Sequence, residues 1–286
     1  MPDTKALQPR AAELLDGSYR RLMEHCPALR FALPAPGEQL SDRQGWLCVA
    51  ELTEGGAGEA GLDRLTAAEA ARILAEYGSA PREHVAASRL LHHYLWSVCL
   101  LISGPWQLDR RVPRIRSQDL WIHAATGDLA LRPGDFACLP GDGAAGLPGA
   151  RVLAGEDELR AELRAAVAEH VTPLIELFKG PLKRGPRALW GMVTDDLVSG
   201  IWYLGRMLGE EDAAVRAATA VLPGGTPPFP GAADFRRLAG PDGRGHQTRT
   251  RLGCCLYYTI RPAEACFTCP RTDDAERLRR LAQPAG

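Results

Sequence analysis

The sequence predicts an α+β protein, mainly helical with a small antiparallel sheet, and three observations carry that reading. Long segments toward both ends repeat apolar residues at the helical period, and the middle holds short apolar runs split by turn residues. A loop rich in glycine and proline, Pro140 to Gly149, then separates this middle from further helical patterns.

Taken in order, Pro9 to His25 reads as an amphipathic helix with Ala12, Leu15, Tyr19 and Leu22 on its apolar face. Gly45 to Leu52 fits either a strand or a helical turn. Gly55 to Gly61 reads as a loop, and Thr66-Ala-Ala-Glu69 as a capping box opening a helix to about Tyr77. Glu83 to Ser103 is a strongly apolar helix. Its core from Leu90 to Ile102 is too short for a membrane span and is interrupted by His92 and His93, so a buried core helix is expected.

The runs DLWIHA and DLALR flank Thr126-Gly127-Asp128, a hairpin signal, and FACL adds a third strand. Helices follow over Glu156 to Lys179, Pro186 to Leu208 and Glu211 to Val221, with Pro186 suited to a first helical turn. Pro223 to Pro230 is too rich in proline to continue the last of these. A short polar helix from Asp273 to Leu281 ends the pattern. The organisation divides as 1–150, helices plus the small sheet, and 151–286, helices plus a cysteine-bearing segment; one continuous domain fits equally.

With 286 residues the chain can build a sizeable core without disulfides. A net charge of −1 argues against general nucleic-acid binding, which wants a strongly basic stripe. Charge is uneven, however: Phe235 to Gly286 carries ten arginines against five acids. That is either an ordinary solvated arginine face or a positive field able to steer an acidic partner.

Cofactor motifs are weak. G-x-G-x-x-G occurs at Gly56, Gly58 and Gly61 and again at Gly141, Gly143 and Gly146, but neither sits in a βαβ unit, and both read as loops. No phosphate-binding G-x-x-x-x-G-K-[ST] and no G-x-S-x-G elbow is present. No nicotinamide or flavin site is therefore expected. His92 and His93 are adjacent and cannot easily chelate one ion, while His246 lies eight residues before Cys254 and could approach it.

The chemistry concentrates in Cys254, Cys255, Cys266 and Cys269, spaced C-C-x10-C-x2-C within GCCLYYTIRPAEACFTCP. Soft thiolates suit zinc, Cu(I) or an iron–sulfur cluster. Zinc sites usually space paired cysteines two to four residues apart, whereas a vicinal pair suits a group with two metal centres better than one small ion. A structural zinc site and two disulfides are the alternatives. The opening MPDTKALQPRAAELL has no apolar signal core, so the expected home is the cytoplasm, where disulfides rarely persist. Cys26, Cys48, Cys99 and Cys138 read as structural.

This spacing resembles the FhuF-like ferric siderophore reductases. Arg249 and Arg251 upstream and Tyr257-Tyr258 downstream resemble the family's basic lead-in and aromatic follow-on. A second stretch, HVTPLIELFKGPLKRGPRALWGMV from His170 to Val193, is similar to its paired helices with an apolar-Trp motif at Leu189-Trp190. Two positions depart: relatives often carry Gly and Asp where this chain has Phe267 and Thr268, and Asn where it has Met192.

The resemblance implies a [2Fe-2S] cluster on Cys254, Cys255, Cys266 and Cys269. It also implies one-electron reduction of a ferric siderophore, of hydroxamate type, with no catalytic side chain beyond the cluster. An external donor such as a ferredoxin or flavin reductase would supply electrons. The expected setting is the cytoplasm or the inner membrane face, with no transmembrane segment. The competing reading is a non-catalytic metal-binding or sensor protein with a structural four-cysteine zinc or Fe–S site. A siderophore-biosynthesis role would need an ATP-binding motif, which is lacking.

Overall fold

The fold is organised around one apolar helix, α4 (Glu83–Asp109), which seventeen buried side chains and glycine or proline positions anchor in the core. The computed structural model describes residues 11–281 apart from 36, 42–43, 54 and 241–242. Helix α1 (Ala11–His25) lays Leu15, Tyr19 and Leu22 against α4, and Gly104 of α4 lets Leu22 approach closely, since a Cβ there would stand 2.7 Å from its methyls. The first two residues of the expected helix, Pro9 and Arg10, lie outside the described residues.

Residues 45–52 resolve into both expected alternatives, a strand β2 (Trp46–Cys48) followed by a one-turn helix α2 (Val49–Leu52). A short β1 (Phe31–Ala32) precedes them. The next segment departs from expectation: Gly55–Gly61 is no loop but the start of α3 (Gly55–Tyr77). A Cβ on Gly58 would come within 2.1 Å of the Leu52 carbonyl oxygen, and one on Gly61 within 2.6 Å of a Leu52 methyl. The glycines serve close helix-to-helix approach rather than flexibility. Thr66 and Glu69, expected at a helix start, consequently lie inside α3 and are buried.

Past β3 (Val112–Pro113), the hairpin forms as expected from β4 (Leu120–His123) and β5 (Leu129–Leu131), antiparallel, with Gly127 at φ 72° in the turn. β2 joins the other edge of β4 antiparallel, and β1 adds parallel to β5. The FACL strand, β6 (Phe136–Cys138), enters a different sheet, pairing antiparallel with β3 and parallel with β7 (Ala150–Val152). The class is α+β and mainly helical, with small sheets that are mixed.

The second half is α5 (Glu156–Leu182), α6 (Pro186–Met207) and α7 (Glu211–Val221). Both α5 and α6 pack on α4, so apolar residues of both halves share one core running from Ala11 to Ala233. α4 is long and apolar enough to cross a membrane, but that apolar surface is buried against α1, α3, α5 and α6. A hairpin not foreseen in the sequence, β8 (Phe235–Ala239) and β9 (Gly245–Arg249), leads into the cysteine segment, and α8 (Asp274–Leu281) follows it.

One polar contact inside this core is made by a buried histidine. His170 of α5 is 2 % exposed; its Nδ1–H donates to the Ile115 carbonyl (3.0 Å) and its Nε2 accepts from Tyr94 Oη (2.7 Å). Burial holds its pKa below the usual histidine range. The unfolded chain therefore takes up this proton first as pH falls through about 6.5, and folding stability declines below that point. Urea unfolding at about pH 7.5 and about pH 5.5 should show a smaller pH-dependent loss in His170→Gln than in the wild type.

Candidate functional site

Arg249 ends β9, and Arg251 follows it two residues on. They meet Asp195 and Asp196, adjacent on α6. Arg249 Nη2 bonds Asp195 Oδ1 at 2.7 Å with both side chains fully buried, and Arg251 Nη2 bonds Asp196 Oδ1 at 2.7 Å. Asp195 also accepts the backbone N–H groups of Leu252 (3.0 Å) and Gly253 (2.7 Å), and so grips the chain just before the first cysteine. His92 of α4 completes the cluster, with Nδ1 3.0 Å from Asp196.

The two carboxyls respond differently. Burial pushes Asp195 up, beyond what Arg249 and Arg251 recover, whereas Arg251 and His92 hold Asp196 down against the same burial penalty. The arginines expected as a positive lead-in are thus largely neutralised inside the protein.

Close packing of the segment on α6 needs a glycine at 253. A Cβ on Gly253 would lie 2.7 Å from Met192 Cγ and 2.9 Å from its backbone nitrogen, and one on Gly191 would touch Leu252 at 3.4 Å. Met192, where relatives often carry Asn, is fully buried against this loop and sits 3.7 Å from Arg184. Arg184 donates to the Cys254 carbonyl at 2.5 Å. Leu256 takes the left-handed conformation (φ 63°), and its N–H points at Cys254 Sγ at 3.4 Å.

Across the site, Arg251 N–H donates to the Thr268 carbonyl at 2.9 Å. Arg277, 2 % exposed, donates from Nε to Phe267 O (3.0 Å) and from Nη2 to Cys269 O (2.9 Å). Phe267 and Thr268 are therefore held by their backbone carbonyls, and Phe267 does not line the cavity below.

These anchors bring Cys254, Cys255, Cys266 and Cys269 to the wall of one narrow cavity, which Arg251, Tyr257 and Tyr258 also line. All four are free thiols. Among the described residues, no group of three or more His, Cys, Asp or Glu is spaced for a single metal ion, and the thiols stand around the cavity instead. Arg89 of α4 donates from Nη1 to Cys255 Sγ at 3.3 Å. A hydrogen bond from the Cys266 thiol lowers the pKa of Cys255, with His92, Arg89 and Arg251 assisting against burial. Burial pushes the Cys254 thiol up.

Four free thiols, with a backbone N–H and a guanidinium aimed at sulfur, form a donor set fitted to an iron–sulfur cluster. Residues 251–271 match the FhuF 2Fe-2S C-terminal domain. All four cysteines fall inside the matched FhuF segment, and Arg251, which ties it to α6, is its first residue. No curated protein matches the chain.

Other residues singled out in the sequence lie elsewhere. His246 sits on β9 opposite Leu238 and does not line the cavity. Trp190 is buried edge-on to Phe229, with ring centroids 5.6 Å apart. Tyr257 lies beneath Arg89, 5.0 Å from ring centroid to guanidinium, and Tyr258 beneath Arg271 at 4.3 Å. Cys26, Cys99 and Cys138 are buried and Cys48 is half-buried, as structural cysteines.

The sequence reading missed Asp195, Asp196, Arg89, Arg184 and Arg277. Only the aspartate pair carried a local signal, two adjacent acids inside the apolar run of α6. Removing one partner of a buried ion pair costs about 3–5 kcal/mol, because the other charge stays behind. Arg249→Met should destabilise by that order in chemical denaturation, and Arg249→Met/Asp195→Asn by less than the sum of the single changes.

Proposed function

We propose that the protein is a ferric siderophore reductase of the cytoplasm, with Cys254, Cys255, Cys266 and Cys269 as ligands of a [2Fe-2S] cluster. The observation that supports it most is the convergence of four free thiols on one cavity within the FhuF 2Fe-2S match. When held by these four cysteines, such a cluster would supply one-electron chemistry, by which an external donor, a ferredoxin or flavin reductase, could reduce Fe(III) to Fe(II). Hard anionic oxygens hold Fe(II) far less tightly than Fe(III), so the iron can pass to other ligands and the siderophore can be reused.

The chain's own residues set the conditions for that transfer. Hydrogen bonds to cluster sulfur tune its potential, and Leu256 N–H and Arg89 Nη1 are placed to make them on Cys254 and Cys255. Asp195, Asp196, Arg249 and Arg251 hold the loop to a rigid helix, so the donor geometry is preorganised. No general acid or base is required by this chemistry.

Anaerobic purification should give about two irons and about two acid-labile sulfides per chain, with a spin-half EPR signal after dithionite reduction. Cys266→Ser should lose that signal and ferric-siderophore reduction together. Full reductase activity in a cluster-free variant would sink the proposal, and stoichiometric zinc without sulfide under iron-replete anaerobic expression would turn the quartet into a structural site.

A further inference from the structure

Helix α4 carries two adjacent histidines, and each turns to a carboxylate on a different neighbouring helix. His92 Nδ1 meets Asp196 of α6, while His93 Nδ1 stands 3.4 Å from Glu69 Oε1 of α3. Glu69 lies in the middle of α3 and is 1 % exposed. Arg72 pairs with it from one turn further along the helix. Although burial opposes it, His93 and Arg72 hold the Glu69 carboxyl below the usual carboxylate range. An ionised carboxylate is costly to keep inside a fold, and the electron-transfer chemistry of the four cysteines gives this one no direct role.

The contacts continue from Glu69 to sulfur. His93 Nε2 lies 2.6 Å from Arg89 Nη2, and Arg89 Nη1 lies 3.3 Å from Cys255 Sγ. Arginine offers only N–H donors, so His93 Nε2 must accept and the ring proton must sit on Nδ1, the nitrogen facing Glu69. The carboxylate thereby fixes the tautomer that the arginine needs. The Tyr257 ring, 5.0 Å from the guanidinium, flanks it on a third side. Arg89 makes no ion pair with Asp or Glu among the described residues. Because its acceptor at His93 is neutral, its charge is left to act on the sulfur.

We propose that Glu69 and His93 are positioning residues that aim Arg89 at Cys255 Sγ and so raise the reduction potential of a cluster held there. Their role rests on the [2Fe-2S] reading of the four cysteines. A guanidinium N–H directed at a ligand sulfur favours the more negative, reduced state. Glu69 carries a negative charge of its own, which taken alone would disfavour an added electron. The two possible roles of Glu69 therefore differ in sign. Acting through His93 and Arg89, its loss lowers the potential; acting only as a nearby charge, its loss raises it.

The test is an EPR-monitored redox titration of the anaerobically purified, cluster-loaded protein, with iron and sulfide assayed in every variant. Arg89→Leu should shift the one-electron equilibrium about tenfold toward the oxidised state, a fall of about 59 mV in midpoint potential. His93→Leu removes the acceptor without removing a charge and should give most of the same fall. His93→Gln, whose amide oxygen can still accept from Arg89, should bring the potential back toward the wild-type value. Glu69→Gln should lower it too. In the Arg89→Leu background, His93→Leu should add no further shift. The His93 side chain is 46 % exposed, so its variants decide the matter where the buried Glu69→Gln costs cluster content.

A wild-type potential in His93→Leu, an upward shift in Glu69→Gln at full cluster content, or shifts of His93→Leu and Arg89→Leu that simply add, overturns the proposal even if reductase activity stands. The expected shifts in a protein that reduces no ferric siderophore would uphold the positioning role and overturn the reductase reading alone. A wild-type protein that binds no cluster overturns both.

Discussion

The buried meeting of Asp195 and Asp196 on α6 with Arg249 and Arg251 is the constraint on which the cysteine segment depends. That segment has almost no regular structure of its own: two short 3-10 turns, Tyr257–Thr259 and Pro262–Glu264, and a run of backbone hydrogen bonds. A loop of this kind cannot hold four thiols in register by local propensity. Ion pairs in a water-free setting supply the missing definition, since each charge is costly to bury without its partner. Asp195 adds direct control by accepting the N–H groups of Leu252 and Gly253.

α6 is a suitable base because it is itself gripped on several sides. It packs along α4, α5 and α7, and nearly every residue from Leu189 to Val198 is buried. Gly253 then removes the side chain that would keep loop and helix apart. On the far side, Arg277 of α8 fixes the carbonyls of Phe267 and Cys269, so the loop is clamped between a core helix and a terminal one. The positive charge conspicuous in the last fifty residues is in good part structural, spent on carboxylates and carbonyls rather than presented to a partner.

α4 ties this clamp to the rest of the molecule. From one face it sends His92 to Asp196 and Arg89 to Cys255, while His93 reaches Glu69 of α3. A helix whose other faces are apolar core thus carries, over five residues, the polar groups that reach α6, the cysteine segment and α3.

Much of the helical framework was legible because periodicity is a local property: α5, α6, α7 and α8 and the β4–β5 hairpin fall within a few residues of their expected bounds. The start of α3 was misread, since glycine serves close approach as readily as it serves a loop, and only the neighbour, Leu52, decides between them. The β8–β9 hairpin gave no apolar alternation to read, its β9 strand being wholly polar apart from Gly245.

By itself the sequence determined the thiol set, its spacing and the secondary structure around it, because these depend on residue type and near neighbours. Which charges neutralise Arg249 and Arg251, and what touches Cys255, were decided only by tertiary structure. Those contacts join residues 54, 55 and 166 positions apart, and electrostatics in a protein depends on distance through space and access of water, neither of which a linear chain displays.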